Sequence, residues 1–175
     1  ANYEAEHLDG AFFIDLNTQL ADIKSDFALG GRHPLPEIES LAKTLADLGI
    51  TGNKHIVIYD DQNGSNASAR FWWMLKAVGH EKVQVLNGGL KQAKKHSFPL
   101  SSKAEGGYSA AEPYPVENWI LPTAEIDEVE KASKDPNYLV VDVRDRKRFE
   151  GKWEPIDLIA GHIPGAINIP FTENL

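Results

Sequence analysis

The chain of 175 residues is long enough for one ample domain, or for one domain and part of a second. Its composition, 42% hydrophobic and 25% charged, is typical of a soluble globular protein, and no apolar run of about 18 residues is present to span a membrane. The net charge of -8, with no basic stripe, argues against nucleic acid as the main partner but leaves a small anionic ligand open. The chain contains no cysteine, which excludes disulfides, thiolate metal sites and a cysteine nucleophile within these residues.

Apolar patterns predict an α/β arrangement in the first hundred residues. Strands are predicted at residues 11–15, 55–59 and 82–86. Helices are predicted at residues 36–48, 66–78 and 89–96, the first beginning at Pro36 and ending at Gly49. Strands that alternate with helices in this way favour a parallel sheet.

The remainder of the chain is predicted to contain a linker and the start of a second domain. Residues 97–118 are rich in Ser, Gly and Pro, which predicts an extended linker rather than a further element. Beyond it we expect a helix that Thr123 caps and that runs to about Lys134. A buried strand at 138–143 and a short helix at 145–151 follow.

Two segments of the chain, 5–14 and 160–171, repeat each other at a fixed offset of 155 residues, which is 162 minus 7. The identical positions are Ala5, His7, Gly10, Ala11 and Ile14, which match Ala160, His162, Gly165, Ala166 and Ile169. Each copy has a histidine before a tight turn, then a glycine and an apolar run, which indicates a duplicated unit. We expect the two histidines to hold these turns rather than to take part in catalysis.

The two copies differ in what surrounds them. In the second copy a predicted strand and helix precede His162, whereas six residues precede His7. The second copy also stops before any counterpart of residues 55–96. We therefore predict that both copies are incomplete and that the chain is an excised piece of a longer protein. The alternative is a short natural protein whose repeat has degenerated, and such a protein would expose long sheet edges.

The loop Asp60–Ser65 is the first candidate site. It joins the end of a predicted strand to the start of a helix, where parallel sheets bind ligands and where free N–H groups attract anions. The other interpretation, which the residues alone favour, is that Asp60 or Asp61 caps the helix or turn.

Arg144 and Arg148 form the second candidate site, after the strand at 138–143. Their planar guanidinium groups suit an oxyanion, although the residues alone favour solvated arginines in a charged segment. The remaining histidines have no metal-ligand spacing, so no metal site is predicted. They are His33, His55, His80 and His96.

The segment His162–Ala166 before an apolar strand resembles the rhodanese (sulfurtransferase) family, and the duplication resembles its tandem two-domain members. Further segments match in order and spacing: Gly30–Pro36, Leu45–Ile50, Val57–Asp61, Ala69–Leu75, Gly79–Val83, Val85–Leu90, Val141–Arg144 and Arg148–Gly151. The Gly30–Pro36 loop looks more like the thiosulfate-using branch than the mercaptopyruvate-using branch. The chain departs from the family at Ala93, where a tryptophan is common.

The resemblance implies an α/β fold, a rhodanese-like parallel sheet flanked by helices, duplicated and with both copies incomplete. Residues 1–100 are expected to form an N-terminal domain of the inactive type whose first strand is missing. Residues 101–118 are the expected linker. Residues 119–175 are expected to begin a C-terminal domain that is truncated before its active-site loop.

The resemblance also implies a chemistry. In such enzymes a cysteine of the C-terminal domain lies at a helix N-terminus, where amide groups and the helix dipole stabilise the thiolate. The thiolate takes the outer sulfur of thiosulfate to give a persulfide and sulfite, and cyanide or a thiol then removes that sulfur. No cofactor is implied. Because the cysteine lies outside the present residues, we expect this chain alone to be inactive.

Site residues carry over by position. Asp60 stands where the inactive domain has lost the cysteine, so neither a catalytic residue nor a metal ligand is predicted in this chain. Arg148 matches the arginine that binds the substrate anion, Arg144 is a predicted helper, and Asp142 matches an acidic residue near the active-site loop. The residues predicted to wall the active site from the N-terminal domain are Asn63, Gly64, Ser65, Asn66 and Ala67.

Two functions stay open at this point. The first is a sulfurtransferase, seen here in part, and the second is a non-catalytic rhodanese-like binding or regulatory module. Kinship with cysteine phosphatases is a third interpretation, which the duplication and the Arg148 segment disfavour.

The expected partners are a small anionic sulfur donor, thiosulfate or mercaptopyruvate, and the rest of the same protein, with no nucleic acid and no membrane. The predicted location is the cytoplasm, with a targeting or export segment left open.

Overall fold

The computed structural model describes residues 2–28, 30–106 and 112–174, and the chain divides into two compact units, Ala1–Leu121 and Pro122–Leu175. The first unit contains α1 (Asn2–Ala5), β1 (His7–Leu8), α2 (Ile38–Asp47), β2 (Ile56–Ile58), α3 (Ala67–Ala77), β3 (Val83–Val85), α4 (Gly89–Lys95) and β4 (Leu100–Ser101). The second contains α5 (Ile126–Ala132), β5 (Val141–Asp142), α6 (Arg146–Phe149), β6 (Ile167–Asn168) and a 3₁₀ turn (Phe171–Asn174). Within the described ranges, no helix has the length and apolar character needed to cross a bilayer.

The described strands form three two-stranded ladders. β2 runs parallel to β3 with Val57 opposite Gln84, and β5 runs parallel to β6 with Val141 opposite Ile167. β1 and β4 are antiparallel. Each parallel pair is joined through a helix, which is the α/β arrangement that the sequence predicts.

Helices α2, α3 and α4 form where the sequence predicts them, whereas α1 was not predicted, and glycine ends α2 as expected. The N–H of Gly49 donates to the carbonyl of Ala46 (2.8 Å), and the N–H of Ile50 donates to that of Leu45 (2.8 Å). These two hydrogen bonds satisfy two carbonyls that the helix end would otherwise leave unpaired. The helix begins at Ile38 rather than at Pro36, two residues later than predicted.

The hydrophobic core lies in the first unit, between α2, α3 and the β2–β3 ladder. Its most buried members include Leu20, Leu41, Leu45, Ile58, Phe71, Met74, Leu75 and Val83. In the second unit Pro170 is the one described residue that is buried. Apolar burial therefore stabilises the first unit far more than the second, which depends on its ladder and its polar contacts.

The predicted strand at residues 11–15 is wrong, because these residues pair with no strand in the described part of the chain. In the second unit the corresponding residues, Ile167–Asn168, pair with Val141–Asp142. An apolar run becomes a strand only when a neighbour bonds its backbone, and periodicity alone does not reveal the neighbour.

The predicted linker at 101–118 needs a correction, since its described residues largely belong to the first unit. Ser101 lies in β4, and Tyr114 is buried against the core. The Tyr114 hydroxyl lies 3.0 Å from Nδ1 of buried His80, whose Nε2 lies 3.0 Å from the carbonyl of Lys54. The buried side chain of Tyr114 therefore holds this segment against the core.

Two further boundaries in the second unit differ from the prediction. α5 begins at Ile126, and the N–H of Glu125 donates to the Glu128 carboxylate (2.8 Å), so Thr123 does not cap it. The strand expected at 138–143 is reduced to Val141–Asp142. Only β6 pairs with it among the described residues, which limits its length.

Candidate functional site

The loop between β2 and α3 is organised around the carboxylate of Asp60. Its Oδ1 accepts hydrogen bonds from two backbone N–H groups of the loop, and its Oδ2 accepts bonds from the start of α3. The donors are the N–H groups of Gln62 (2.9 Å), Gly64 (2.7 Å), Asn66 (3.3 Å) and Ser68 (3.2 Å), together with Oγ of Ser68 (2.7 Å). The donors that would cradle an external anion are therefore occupied by a side chain of the protein.

The backbone of this loop is tightly wound. Gly64 has φ +83°, and a Cβ there would lie 2.8 Å from Cγ1 of Val85. A Cβ on Gly89 would lie 2.4 Å from the carbonyl oxygen of Asp60. Glycine is needed at both positions so that the ends of β2 and β3 come close together.

Asp60 is charged in this setting. Partial burial alone would raise the pKa of its carboxyl, but hydrogen bonds from Ser68, Gly64 and Gln62 outweigh that effect and lower the pKa. The capping interpretation that the residues alone favoured is therefore confirmed, with Asp60 reaching the first turn of α3 from outside the helix. Asn66, which directly precedes α3, makes no capping bond with its side chain.

The five residues predicted to wall an active site all lie in this loop or at the start of α3. Asn63 and Asn66 are exposed, whereas Gly64, Ser65 and Ala67 are half-buried. Oγ of Ser65 donates to the carbonyl of Gln62 (2.7 Å), which folds the loop onto itself. The role of these residues as a wall stays a prediction.

In the second unit, Asp142 and Arg144 form a bidentate pair at the end of β5. Nε of Arg144 lies 3.0 Å from both oxygens of Asp142, and Nη2 lies 2.6 Å from Oδ2. Nη2 also donates to the carbonyl of Gly161 (2.6 Å). The Arg144 hydrogen bonds lower the pKa of the Asp142 carboxyl, and the same bonds raise the pKa of the Arg144 guanidinium.

Arg148 lies beside this pair and is bound to two further carboxylates. Its Nε lies 3.1 and 3.0 Å from the two oxygens of Glu154, and its Nη2 lies 2.6 Å from Oδ2 of Asp157. The hydrogen bonds from Arg148 lower the pKa of Glu154 to about 2. The Arg148 side chain is 12% exposed and that of Glu154 is 4% exposed. The interpretation of solvated arginines is therefore wrong.

The structure thus brings the three predicted residues of the second unit together in one ion-pair network. Nη1 of Arg144 lies 3.5 Å from Glu154, which joins the two pairs. Two arginines face three carboxylates, and Glu154 and Asp157 together occupy Nε and Nη2 of Arg148. Sequence reasoning missed both acids. The sequence did contain a signal, because Glu154 and Asp157 follow Arg148 by six and nine residues.

The two repeated histidines have the same structural role. Nδ1 of His7 lies 2.8 Å from the carbonyl of Tyr3 and its ring stacks on that of Tyr3 (3.8 Å). Nδ1 of His162 lies 2.7 Å from the carbonyl of Phe149, on whose ring it stacks (3.8 Å). Each ring binds the preceding helix, α1 for His7 and α6 for His162, so both histidines have a structural role, although the contact is to a helix rather than to the predicted turn. No group of three or more metal-ligating side chains occurs in the described ranges.

Comparison with known proteins places these features in a family. The model of the rhodanese-like domain matches residues 1–96 and 125–175. The chain is 36% identical to 3-mercaptopyruvate sulfurtransferase of Mus musculus over 99% of the chain and 57% of that protein. It is 33% identical to thiosulfate sulfurtransferase of Gallus gallus over 99% of the chain and 58% of that protein.

A solved structure shows the same fold. The crystal structure of the 3-mercaptopyruvate sulfotransferase SseA from Escherichia coli superposes with a TM-score of 0.77 at 30% identity, over 99% of the chain and 63% of that protein. The chain therefore spans less than two thirds of the length of these relatives.

Proposed function

Because the chain belongs to the rhodanese-like domain family, we propose that it serves a sulfurtransferase as a cysteine-free part, with the sulfur-carrying thiol supplied by residues outside this sequence. The observation that carries this proposal is the filled loop of the first unit. Asp60 follows β2 after Tyr59, where the family resemblance implies a cysteine, and takes up the amide donors that would stabilise a thiolate. A carboxylate there holds no transferable sulfur and repels an anionic donor.

The proposed reaction moves one sulfur atom in two displacements. The thiolate attacks the outer sulfur of thiosulfate, the S–S bond of thiosulfate breaks, and sulfite leaves with the electron pair. Cyanide or a thiol then attacks the outer sulfur of the persulfide and regenerates the thiolate. No external oxidant, reductant or cofactor is required.

Arg148 is proposed to hold the donor anion, with Arg144 beside it. A guanidinium fork matches the geometry of a sulfonate or carboxylate group. Glu154 and Asp157 keep Arg148 bound until a donor displaces one of them. Asp142 is proposed to fix the orientation of Arg144.

The choice of donor rests on the Gly30–Pro36 loop, whose resemblance favours thiosulfate over mercaptopyruvate. The similar proteins include members named for either donor, which keeps both compounds in the test.

The alternative is a non-catalytic binding or regulatory module. The pairing of Arg148 with Glu154 and Asp157 favours it, because these carboxylates already occupy Nε and Nη2 of the arginine. The two functions differ in whether Arg148 binds a sulfur donor.

Titration calorimetry at low ionic strength tests the proposal, with thiosulfate and mercaptopyruvate each added to the chain in turn. Arg148→Met is expected to weaken binding roughly tenfold or more, since a hydrogen bond to a charged group contributes about 1.5–3 kcal/mol. The affinity of Arg148→Lys for thiosulfate should fall between those of the unaltered chain and of Arg148→Met, because lysine keeps the positive charge but lacks the planar guanidinium group. Glu154→Gln should tighten binding by releasing Arg148.

The matched control is Arg146→Gln, since this neighbouring arginine is exposed and pairs with Glu173 at 3.6 Å. It should bind thiosulfate as the unaltered chain does. Circular dichroism verifies that each variant is folded. A folded Arg148→Met variant with unchanged affinity, or no binding by the unaltered chain and Glu154→Gln alike, would overturn the proposal and favour the module.

A further inference from the structure

The first unit contains two Asn-Gly dipeptides, Asn63–Gly64 after β2 and Asn87–Gly88 after β3. Because β2 and β3 are parallel, both dipeptides lie at the same edge of the sheet. An asparagine before glycine is prone to lose its side-chain amide, since glycine has no Cβ to shield its backbone nitrogen from the asparagine side chain. The two dipeptides are chemically identical, so any difference in their reactivity comes from the fold.

The first dipeptide lies in a turn whose glycine N–H is bound to a carboxylate. The N–H of Ser65 donates to the carbonyl of Gln62 (3.2 Å). The φ angles of Asn63 and Gly64 are +57° and +83°, as in a type I′ turn. The N–H of Gly64 donates to Oδ1 of Asp60 (2.7 Å). Loss of this proton would leave a negative nitrogen beside a negative carboxylate oxygen, which Coulomb repulsion opposes.

The second dipeptide lies in a different turn. The N–H of Gly89 donates to the carbonyl of Leu86 (2.9 Å), and Gly88 has φ +75° and ψ +6°. These angles are those of the third residue of a type II turn, a position that favours glycine. No acceptor in the described part of the chain binds the N–H of Gly88, and Asn87 is exposed. The nitrogen of Gly88 therefore loses its proton to solvent without opposition from a neighbouring carboxylate.

We propose that Asn87 is a site of spontaneous deamidation and that Asp60 protects Asn63 from the same reaction. After the N–H of Gly88 gives its proton to hydroxide, the nitrogen attacks Cγ of Asn87 and closes a succinimide ring. The bond from Cγ to Nδ2 breaks, and ammonia leaves with a proton taken from water. A water molecule then opens the ring at either carbonyl, which gives aspartate or isoaspartate and restores the glycine N–H. No atom is oxidised or reduced, and the inference does not depend on sulfur transfer.

The turn that carries Asn87 lies against the Asp60 loop, so its modification has a structural consequence. The N–H of Leu90 donates to the carbonyl of Asp60 (3.3 Å), and a Cβ on Gly89 would lie 2.4 Å from the same oxygen. Aspartate at position 87 adds a negative charge, whereas isoaspartate also adds one atom to the main chain of the turn. Deamidation is therefore expected to loosen the contact between Gly89 and Asp60, and isoaspartate is expected to loosen it more than aspartate.

Incubation of the chain in warm, mildly alkaline buffer, followed by peptide mapping with mass spectrometry, tests the proposal. The peptide that contains Asn87 is expected to exchange one ammonia for one water and to separate into an aspartate form and an isoaspartate form. Asn63 is expected to react at least about tenfold more slowly in the folded chain. In concentrated urea the two asparagines should react at similar rates, because the turns and the bond to Asp60 are then lost.

Variants at position 87 separate the effects of the modification. Asn87→Gln is the matched control, because its longer side chain closes a less favourable ring, and it should keep its urea midpoint during incubation. The unaltered chain should show a falling midpoint under the same conditions. Asn87→Asp introduces the charge without lengthening the main chain, so its midpoint should lie between those of the fresh chain and of the isoaspartate form.

Variants at position 60 test the protection of Asn63. Asp60→Ala removes the acceptor, and a folded variant, verified by circular dichroism, should deamidate at Asn63 faster than the unaltered chain does. Asp60→Asn removes the charge but keeps a carbonyl oxygen for Gly64, and serves if the alanine variant does not fold. An Asn87 that stays intact in the folded chain, or an Asn63 that reacts as fast as Asn87 there, contradicts the proposal. An Asn63 that stays equally slow in the folded position-60 variant also contradicts it.

Discussion

At the scale of single residues, Asp60 organises the β2–α3 loop of the first unit. Its carboxylate accepts five hydrogen bonds from the loop and from the start of α3. One side chain thus occupies the donors that could otherwise bind an external anion. It also satisfies N–H groups of α3 that the helix itself leaves unpaired.

Asp60→Ala is expected to destabilise the first unit by about 1–3 kcal/mol, because it leaves partly buried N–H groups without an acceptor. Urea unfolding followed by the fluorescence of Trp72, Trp73 and Trp119 measures the loss. The control is Asp61→Ala, whose exposed neighbouring carboxylate should matter by no more than about 0.5 kcal/mol. Equal stabilities of the two variants would contradict this role.

At the scale of elements, the ion-pair network takes the place of a hydrophobic core in the second unit. It joins the end of β5, helix α6 and the segment 154–157. Its strength depends on Glu154, whose folded pKa of about 2 lies below the usual 4.5. A depressed carboxyl pKa contributes stability above the unfolded value, and that stability is lost as the pH falls toward the folded value.

We therefore expect the β5–β6 ladder to weaken between about pH 4.5 and about pH 2. Hydrogen-exchange protection of the Ile167 and Ile169 amides, which bond across this ladder, measures the effect. Glu154→Gln should lower protection at neutral pH and flatten its dependence over the acid range. The same acid loss in Glu154→Gln as in the unaltered chain would show that another group is responsible.

The helices were predictable because their signals are local. Gly49 and the spacing of Leu41 and Leu45 are enough to place the ends of α2 within two residues of their observed positions. The strand expected at 11–15 did not form, since a strand also needs a neighbour, which periodicity does not reveal. Glu154 and Asp157 were missed for a similar reason, because their pairing with Arg148 depends on how the following loop returns.

At the scale of the whole molecule, the two units differ in how they are stabilised. The first has the buried apolar core, and the second has polar contacts around a short ladder. The motifs in their order were sufficient to predict the rhodanese-like family, which the match over residues 1–96 and 125–175 confirms. The segment at 101–118 could not be assigned correctly, since burial of Tyr114 depends on the partner His80, distant in sequence.

Our central proposal is that Asp60 stands where a rhodanese-like domain can carry a thiol, so that this loop holds no transferable sulfur as it is. The most direct test is the intact mass of the Asp60→Cys variant after incubation with thiosulfate, with Asp60→Ser as the control. We expect the cysteine variant to gain one sulfur atom and to release it to cyanide as thiocyanate, and the serine variant to gain none. A folded Asp60→Cys variant whose thiol is accessible yet takes up no sulfur would contradict the account.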